Sequence, residues 1–219
     1  IPAKLYDLIA KFSLHKDYYK SEKYNEAQLR AEFLDVLIEL LGWDLSNRQG
    51  VLPELRGVHQ EPHAAGESKG YFLDYQFELA GQKNFIIEAK RPSVEVHDDV
   101  KATQQAQDYA ADLGYGLVVL TDFEELAIYT NYQSKSASKE DDVDDAASKN
   151  VDHSKRGRLF YCNYEQYPYY WDFLYALFSY QAVKTGVHNR LKRVLLETLS
   201  LIEQGIYAHQ NFNFFYGIY

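Results

Sequence analysis

The sequence contains no methionine, a single cysteine and only five prolines in 219 residues. One thiol, Cys162, excludes an internal disulfide framework and any zinc site built from several cysteines, and it fits a reducing, cytoplasmic compartment. No run of about 18 apolar residues occurs. The N-terminal stretch IPAKLYDLIAKFSLHKDYYKSEKY is amphipathic and broken by charges, so neither a membrane span nor a signal peptide is expected. Positive charge is scarce: 23 Lys and Arg stand against 32 Asp and Glu, a net charge of −9. That balance argues against a protein that grips nucleic acid through bulk positive charge. It leaves room for a nucleic-acid enzyme, because a site that collects carboxylates for a metal is itself acidic. The seven histidines show no metal-ligand spacing, so a His-based site is not expected, and there is neither a Gly-rich phosphate loop nor an internal repeat. A chain without Met that opens on Ile1 reads as a piece of a longer polypeptide, or as one whose methionines are left out of the sequence.

What is present is enough apolar material, 46% of residues, for one sizeable core with a small appended subdomain. In NEAQLRAEFLDVLIELL, the positions Arg30, Phe33, Leu34, Leu37, Ile38 and Leu41 recur at helical spacing. Asn25 is a good N-cap with Gln28 three residues on, and Gly42 ends the helix. From Trp43 to Gly70, Gly, Pro and polar residues predict a long excursion with at most one short strand. YFLDYQFEL and NFIIEAK, joined by the AGQKN turn, read as an antiparallel hairpin stopped by Pro92. DDVKATQQAQDYAADLG reads as a helix with Ala102, Ala106, Tyr109, Ala110 and Leu113 on one face, and YGLVVLT and LAIYT as further strands. Residues 133–155 are Ser-rich and acidic and predict a mobile loop; KEDDVDD within them lacks the Gly and terminal Glu of an EF-hand. LFYCNY predicts a last strand, followed by helical stretches over 169–183 and 188–209. The expected class is therefore α/β (α+β), with residues 1–165 as one domain and 166–219 as a helical extension or the start of a connector domain.

The chemistry gathers around the hairpin. On a strand, side chains two apart share a face, so Glu88 and Lys90 project together. Asp74 lies in the neighbouring strand, thirteen residues intervening before Glu88. Two readings stand side by side at this point. The charges form an ordinary ion pair at a strand end, or two carboxylates hold Mg²⁺ with a lysine directed at water or phosphate.

The set DY…FIIEAKRPS resembles the catalytic signature of the PD-(D/E)xK nuclease superfamily, with Leu73 where the namesake proline would stand. More narrowly, the blocks NEAQLRAEFLDVLIELLGWD, LDYQF, FIIEAKRPSVEVHDD, QQAQDYA and LTDFEELAIY resemble, in order, the N-terminal nuclease domain of type IIG fused restriction-modification enzymes, and also that of type I restriction motor subunits. The blocks run from Asn25 to Tyr129. The resemblance implies a restriction-endonuclease-like mixed sheet flanked by helices, and a Mg²⁺-dependent endodeoxyribonuclease, with Mn²⁺ able to substitute, that leaves 5′-phosphate and 3′-hydroxyl ends. It implies Asp74, Glu88 and Lys90 as catalytic residues, and Asp74, Glu88 and Glu26 as metal ligands. Periodicity also favours Glu26 over Glu32, because Glu26 extends the apolar stripe inward. Gln105 and Tyr109 match the family's Q-x-x-x-Y helix motif and share one helical face, implying a supporting or DNA-contacting role. Arg91 and Lys101 are candidate phosphate contacts. Implied partners are double-stranded DNA, methyltransferase and target-recognition domains outside these residues, and a second subunit for double-strand cleavage. The rival expectation is a non-catalytic nuclease-like module that binds DNA or a protein.

Overall fold

The computed structural model describes residues 1–61, 63–64, 71–131 and 157–203. The stretch 133–155, expected as a mobile acidic loop, lies outside the described residues, as do the final residues of the expected C-terminal helices.

In chain order the elements are α1 (Ala3–Leu14), α2 (Lys16–Tyr19), α3 (Glu26–Leu29), a π-helical turn (Arg30–Leu34) and α4 (Asp35–Leu40). Strands β1 (Val58–Gln60), β2 (His63–Ala64), β3 (Tyr71–Phe72), β4 (Tyr75–Leu79) and β5 (Gln82–Ala89) follow. Then come α5 (Val100–Leu113), β6 (Leu117–Thr121), β7 (Glu125–Thr130), β8 (Arg158–Asn163), α6 (Tyr167–Phe178), α7 (Tyr180–Thr185) and α8 (Val187–Glu203). Six strands form one sheet in the order β1-β4-β5-β6-β7-β8, parallel between β5 and β6 and antiparallel elsewhere. A mixed sheet flanked by helices is consistent with a restriction-endonuclease-like fold. No described helix is long and apolar enough to cross a membrane.

The predicted helix over 25–41 begins with the expected reciprocal cap. Asn25 Oδ1 accepts from the Gln28 backbone N–H at 2.9 Å, and Gln28 Oε1 accepts from the Asn25 N–H at 3.0 Å. It then departs from a regular α-helix at the π turn, which carries one extra residue past the usual repeat. Leu29, Phe33, Leu34, Ile38 and Leu41 still reach the core. The excursion after Trp43 holds two short strands, β1 and β2, rather than at most one, because each finds a partner late in the chain: β1 on β4 and β2 on β3.

The hairpin β4–β5 turns at Ala80 and Gly81, both at positive φ, which is the backbone a two-residue turn with the strands' own twist demands. The single strand expected over 71–79 is broken at Leu73–Asp74, where β3 leaves for its own two-stranded sheet. Helix α5 starts on Asp99, whose carboxylate accepts from Ala102 N–H, and stops at Gly114 with φ +78°. It lays Ala102, Ala106 and Ala110 on one sheet face with Ile86, Val118 and Leu120. The opposite face packs Phe85, Ile87, Val119 and Ile128 against α1, α4 and α6, and Trp171, Leu174 and Phe178 belong to this same core. Strands β6 and β7 are buried throughout, as a sheet covered on both sides requires.

Gly57 sits where this core is tightest. A Cβ there would meet Trp43 Cζ3 at 2.9 Å and the Glu78 carbonyl at 3.4 Å. The indole is held by a 2.8 Å hydrogen bond from Nε1 to the Phe178 carbonyl. Gly57→Ala is expected to lower stability by about 1–3 kcal/mol in urea denaturation through overpacking. An unchanged midpoint would mean that the indole shifts freely.

Candidate active site

Strand β5 carries Ile86 and Glu88 on the face covered by α5, and Phe85, Ile87 and Ala89 on the other. The ladder to β6 runs past the end of the strand, with Lys90 N–H donating to the Thr121 carbonyl at 2.9 Å. Lys90 therefore leaves the sheet edge in strand register, on the same side as Glu88. The two side chains meet: Lys90 Nζ lies 2.8 Å from Glu88 Oε1.

Asp74 occupies the break between β3 and β4, and its hydrogen bonds account for the break. Its Oδ2 accepts from the Ala89 backbone N–H at 2.7 Å, its Oδ1 from Arg30 at 2.6 Å, and its own carbonyl from the Glu61 N–H. A carboxylate turned inward at this point pulls the chain out of ladder register. Asp74 is thereby locked to the residue beside Glu88, and both carboxyls are buried, at 8% and 4% exposure.

The electrostatics follow from that crowding. Burial pushes Glu88 up to about 7, opposed by Lys90 and reinforced by Asp74 and Glu26. Burial likewise raises Asp74, with the Ala89 N–H and Arg30 opposing. Glu26, at the first turn of α3, is raised by burial and by the Asp74 charge, and lowered by Lys90, Arg30 and Arg91. Lys90 is pulled down by its own burial, but the pair with Glu88, aided by Glu26 and Asp74, leaves it raised and protonated. Four groups from three distant segments thus feel one another. Glu32 does not join them; it pairs with Lys11 at 2.6 Å on the far side of the helix.

Two buried polar atoms in this cluster have no hydrogen-bond partner, Glu88 Oε2 and Arg30 Nε. An unpartnered carboxylate oxygen in a dry site is costly unless a cation or donor meets it. The donor set is all oxygen, which suits a hard cation. The three carboxylates do not close into a tight shell, however. Among the described residues, the group whose ligand atoms all lie within 4.8 Å of one another is Glu95, His97 and Asp98. Asp74 and Glu88, tied together through the Ala89 N–H, form the inner pair on the sheet, and Glu26 approaches it from the first turn of α3.

The remaining expected residues lie outside that inner pair. Gln105 and Tyr109 do share a face of α5, with Gln105 Nε2 donating to the Tyr109 hydroxyl at 2.6 Å, and Gln105 is exposed. Arg91 and Lys101 are exposed, and Arg91 is near enough to Glu26 to lower it. Sequence reasoning did not assign Arg30 to the site. Its guanidinium, with 12% of the side chain exposed, bridges Asp74 and Glu61. The signal was available: a charged residue on an otherwise apolar helical stripe.

No protein-family model and no solved structure matches the chain. Over 129 residues, which are 58% of this chain, the sequence is 39% identical to the type II restriction enzyme and methyltransferase RM.Eco57I of Escherichia coli. The chain spans only about an eighth of that relative, since the aligned residues make up 13% of its length.

Proposed function

We propose that these residues form the endonuclease part of a fused restriction-modification enzyme of type IIG. The domain would hydrolyse DNA phosphodiester bonds, with Mg²⁺, to 5′-phosphate and 3′-hydroxyl ends. The observation that carries this reading is the meeting of Glu88, Lys90 and Asp74 at one buried sheet edge, with Glu88 Oε2 left unpartnered. A restriction enzyme as relative supports it.

Asp74 and Glu88 would hold the cation, and Glu26 would support it from the outer side. A divalent cation so held supplies positive charge to a phosphate oxygen and makes a nearby water more acidic. The protein's own groups do the rest. Asp74 is kept in place by the Ala89 N–H and by Arg30, so that this carboxylate is positioned in advance. Lys90 enters as a cation, suited to holding the scissile phosphate and orienting a water, and its raised proton affinity speaks against a role as free base. Arg91 and Lys101 offer exposed charge to the DNA backbone, and the Gln105–Tyr109 pair supports the edge of the site. One such site cuts one strand, so double-strand cleavage calls for a second subunit or a second event. Methyltransferase and target-recognition functions would lie outside these residues.

The same geometry favours one rival. Arg30 and Lys90 already neutralise Asp74 and Glu88, as a vestigial, purely structural ion network in a binding module would. Supercoiled-plasmid cleavage by the purified chain, with Mg²⁺ or Mn²⁺ and an EDTA control, separates the two. Metal-dependent nicking is expected, reduced about 10²–10³-fold or more in Lys90→Ala. Equal cleavage by Lys90→Ala would sink the assignment. No cleavage together with no Mg²⁺ binding by calorimetry would establish the module reading.

A further inference from the structure

The loop joining β5 to α5 carries a second cluster that the nuclease reading does not use. Glu95, His97 and Asp98 bring one carboxylate oxygen from each acid and an imidazole nitrogen within 4.8 Å of one another. His97 Nε2 faces Asp98 Oδ2 at 3.0 Å, while Glu95 and Asp98 are exposed and Val96 between them is fully buried. Val96 thus pins the loop and leaves its polar neighbours directed outward.

The other side of the ring is engaged by a separate element. Glu125, at the start of β7 and only 9% exposed, places Oε1 2.6 Å from His97 Nδ1 and accepts the His97 backbone N–H on Oε2 at 3.3 Å. Tyr161 on β8 donates to the same Oε1, and Arg158 donates to the His97 carbonyl at 3.2 Å. A carboxylate is costly to bury. Here both of its oxygens serve one histidine, holding the ring so that Nδ1 meets Glu125 and Nε2 is turned to Asp98. A carboxylate behind a histidine whose second nitrogen faces further ligands is the arrangement that orients metal-bound imidazoles and makes them more basic.

We propose that Glu95, His97 and Asp98 bind a first-row transition-metal ion such as Zn²⁺, with Glu125 as the outer carboxylate on His97. The imidazole donor selects this class over Mg²⁺, which prefers oxygen alone. Three protein ligands leave room for water in a fourth position. The ion clips the β5–α5 loop, which carries Arg91 at one end and the start of α5 at the other. This site is distinct from Asp74 and Glu88, and it stands or falls independently of the cleavage reaction.

The test is calorimetric titration of the metal-stripped chain with Zn²⁺, in millimolar Mg²⁺ so that oxygen-only sites are already occupied. Binding with one-to-one stoichiometry is expected, abolished in His97→Ala, weakened about 10–100-fold in Glu125→Gln and unchanged in Glu88→Ala. Zinc-edge X-ray absorption of the wild-type chain should show one imidazole in an otherwise oxygen shell, a readout that needs no variant to fold. No Zn²⁺ binding by the wild type would overturn the proposal and leave a plain histidine flanked by carboxylates. Binding unchanged in His97→Ala, or a zinc shell without imidazole, would overturn it equally.

Discussion

Glu88→Gln is expected to abolish cleavage and at the same time to make the protein more stable above neutral pH. The wild-type glutamate has its folded-state value raised from 4.5 to about 7 by burial beside Asp74 and Glu26. A group raised in this way contributes its full stability below about pH 4.5 and loses it as pH climbs to about 7. A tenfold change in proton affinity corresponds to about 1.4 kcal/mol, so ionising Glu88 in the metal-free protein costs up to about 3 kcal/mol. The glutamine side chain avoids that cost while its amide oxygen still accepts from Lys90. Thermal denaturation of both proteins without metal should show the variant ahead at pH 8 and the two converging near pH 4.5. Mg²⁺ should narrow the gap at pH 8, because the ion meets the already ionised carboxylate and stabilises the wild type more than the variant. A variant no more stable than wild type at pH 8 would refute the idea that ionising Glu88 costs the metal-free protein stability despite its pairing with Lys90.

Arg30→Met carries the second large effect. The guanidinium is the cation on Asp74 Oδ1, and both groups are nearly enclosed, each with 12% of its side chain exposed. Removing one partner of a buried pair leaves the other charged and unsolvated, at a cost of about 3–5 kcal/mol. Asp74 retains the Ala89 N–H, so the lower part of that range is expected. Asp74→Asn should recover part of the loss in the double variant, since an amide needs no counter-charge. Urea denaturation of the four proteins gives the coupling directly. A coupling near zero would show that Arg30 is held by Glu61 and does not position Asp74.

These two residues also mark the limit of sequence reasoning. Glu88 and Lys90 were legible as same-face neighbours, because strand alternation is a local property of the backbone. Arg30 appeared on the apolar stripe of its helix, but no local pattern says which acid it meets 44 residues later. Glu26 was favoured over Glu32 by periodicity, and the helix does turn Glu26 toward Asp74 and Glu32 toward Lys11. His97 stands outside any metal-ligand spacing among the seven histidines, and so the sequence does not single it out. Its decisive neighbour, Glu125, lies on another strand.

The sequence by itself determined the elements whose signals are short-range: the capped amphipathic helix from Asn25, the β4–β5 hairpin, though with the turn expected over AGQKN where the structure confines it to Ala80–Gly81, and α5 from Asp99 to Gly114. Tertiary structure alone decided the parallel pairing of β5 with β6, the π turn at Arg30–Leu34, and the break at Asp74. Each of these depends on partners remote in the chain. A buried carboxylate must take its donors where the fold supplies them, and for Asp74 those donors are the Ala89 backbone and Arg30.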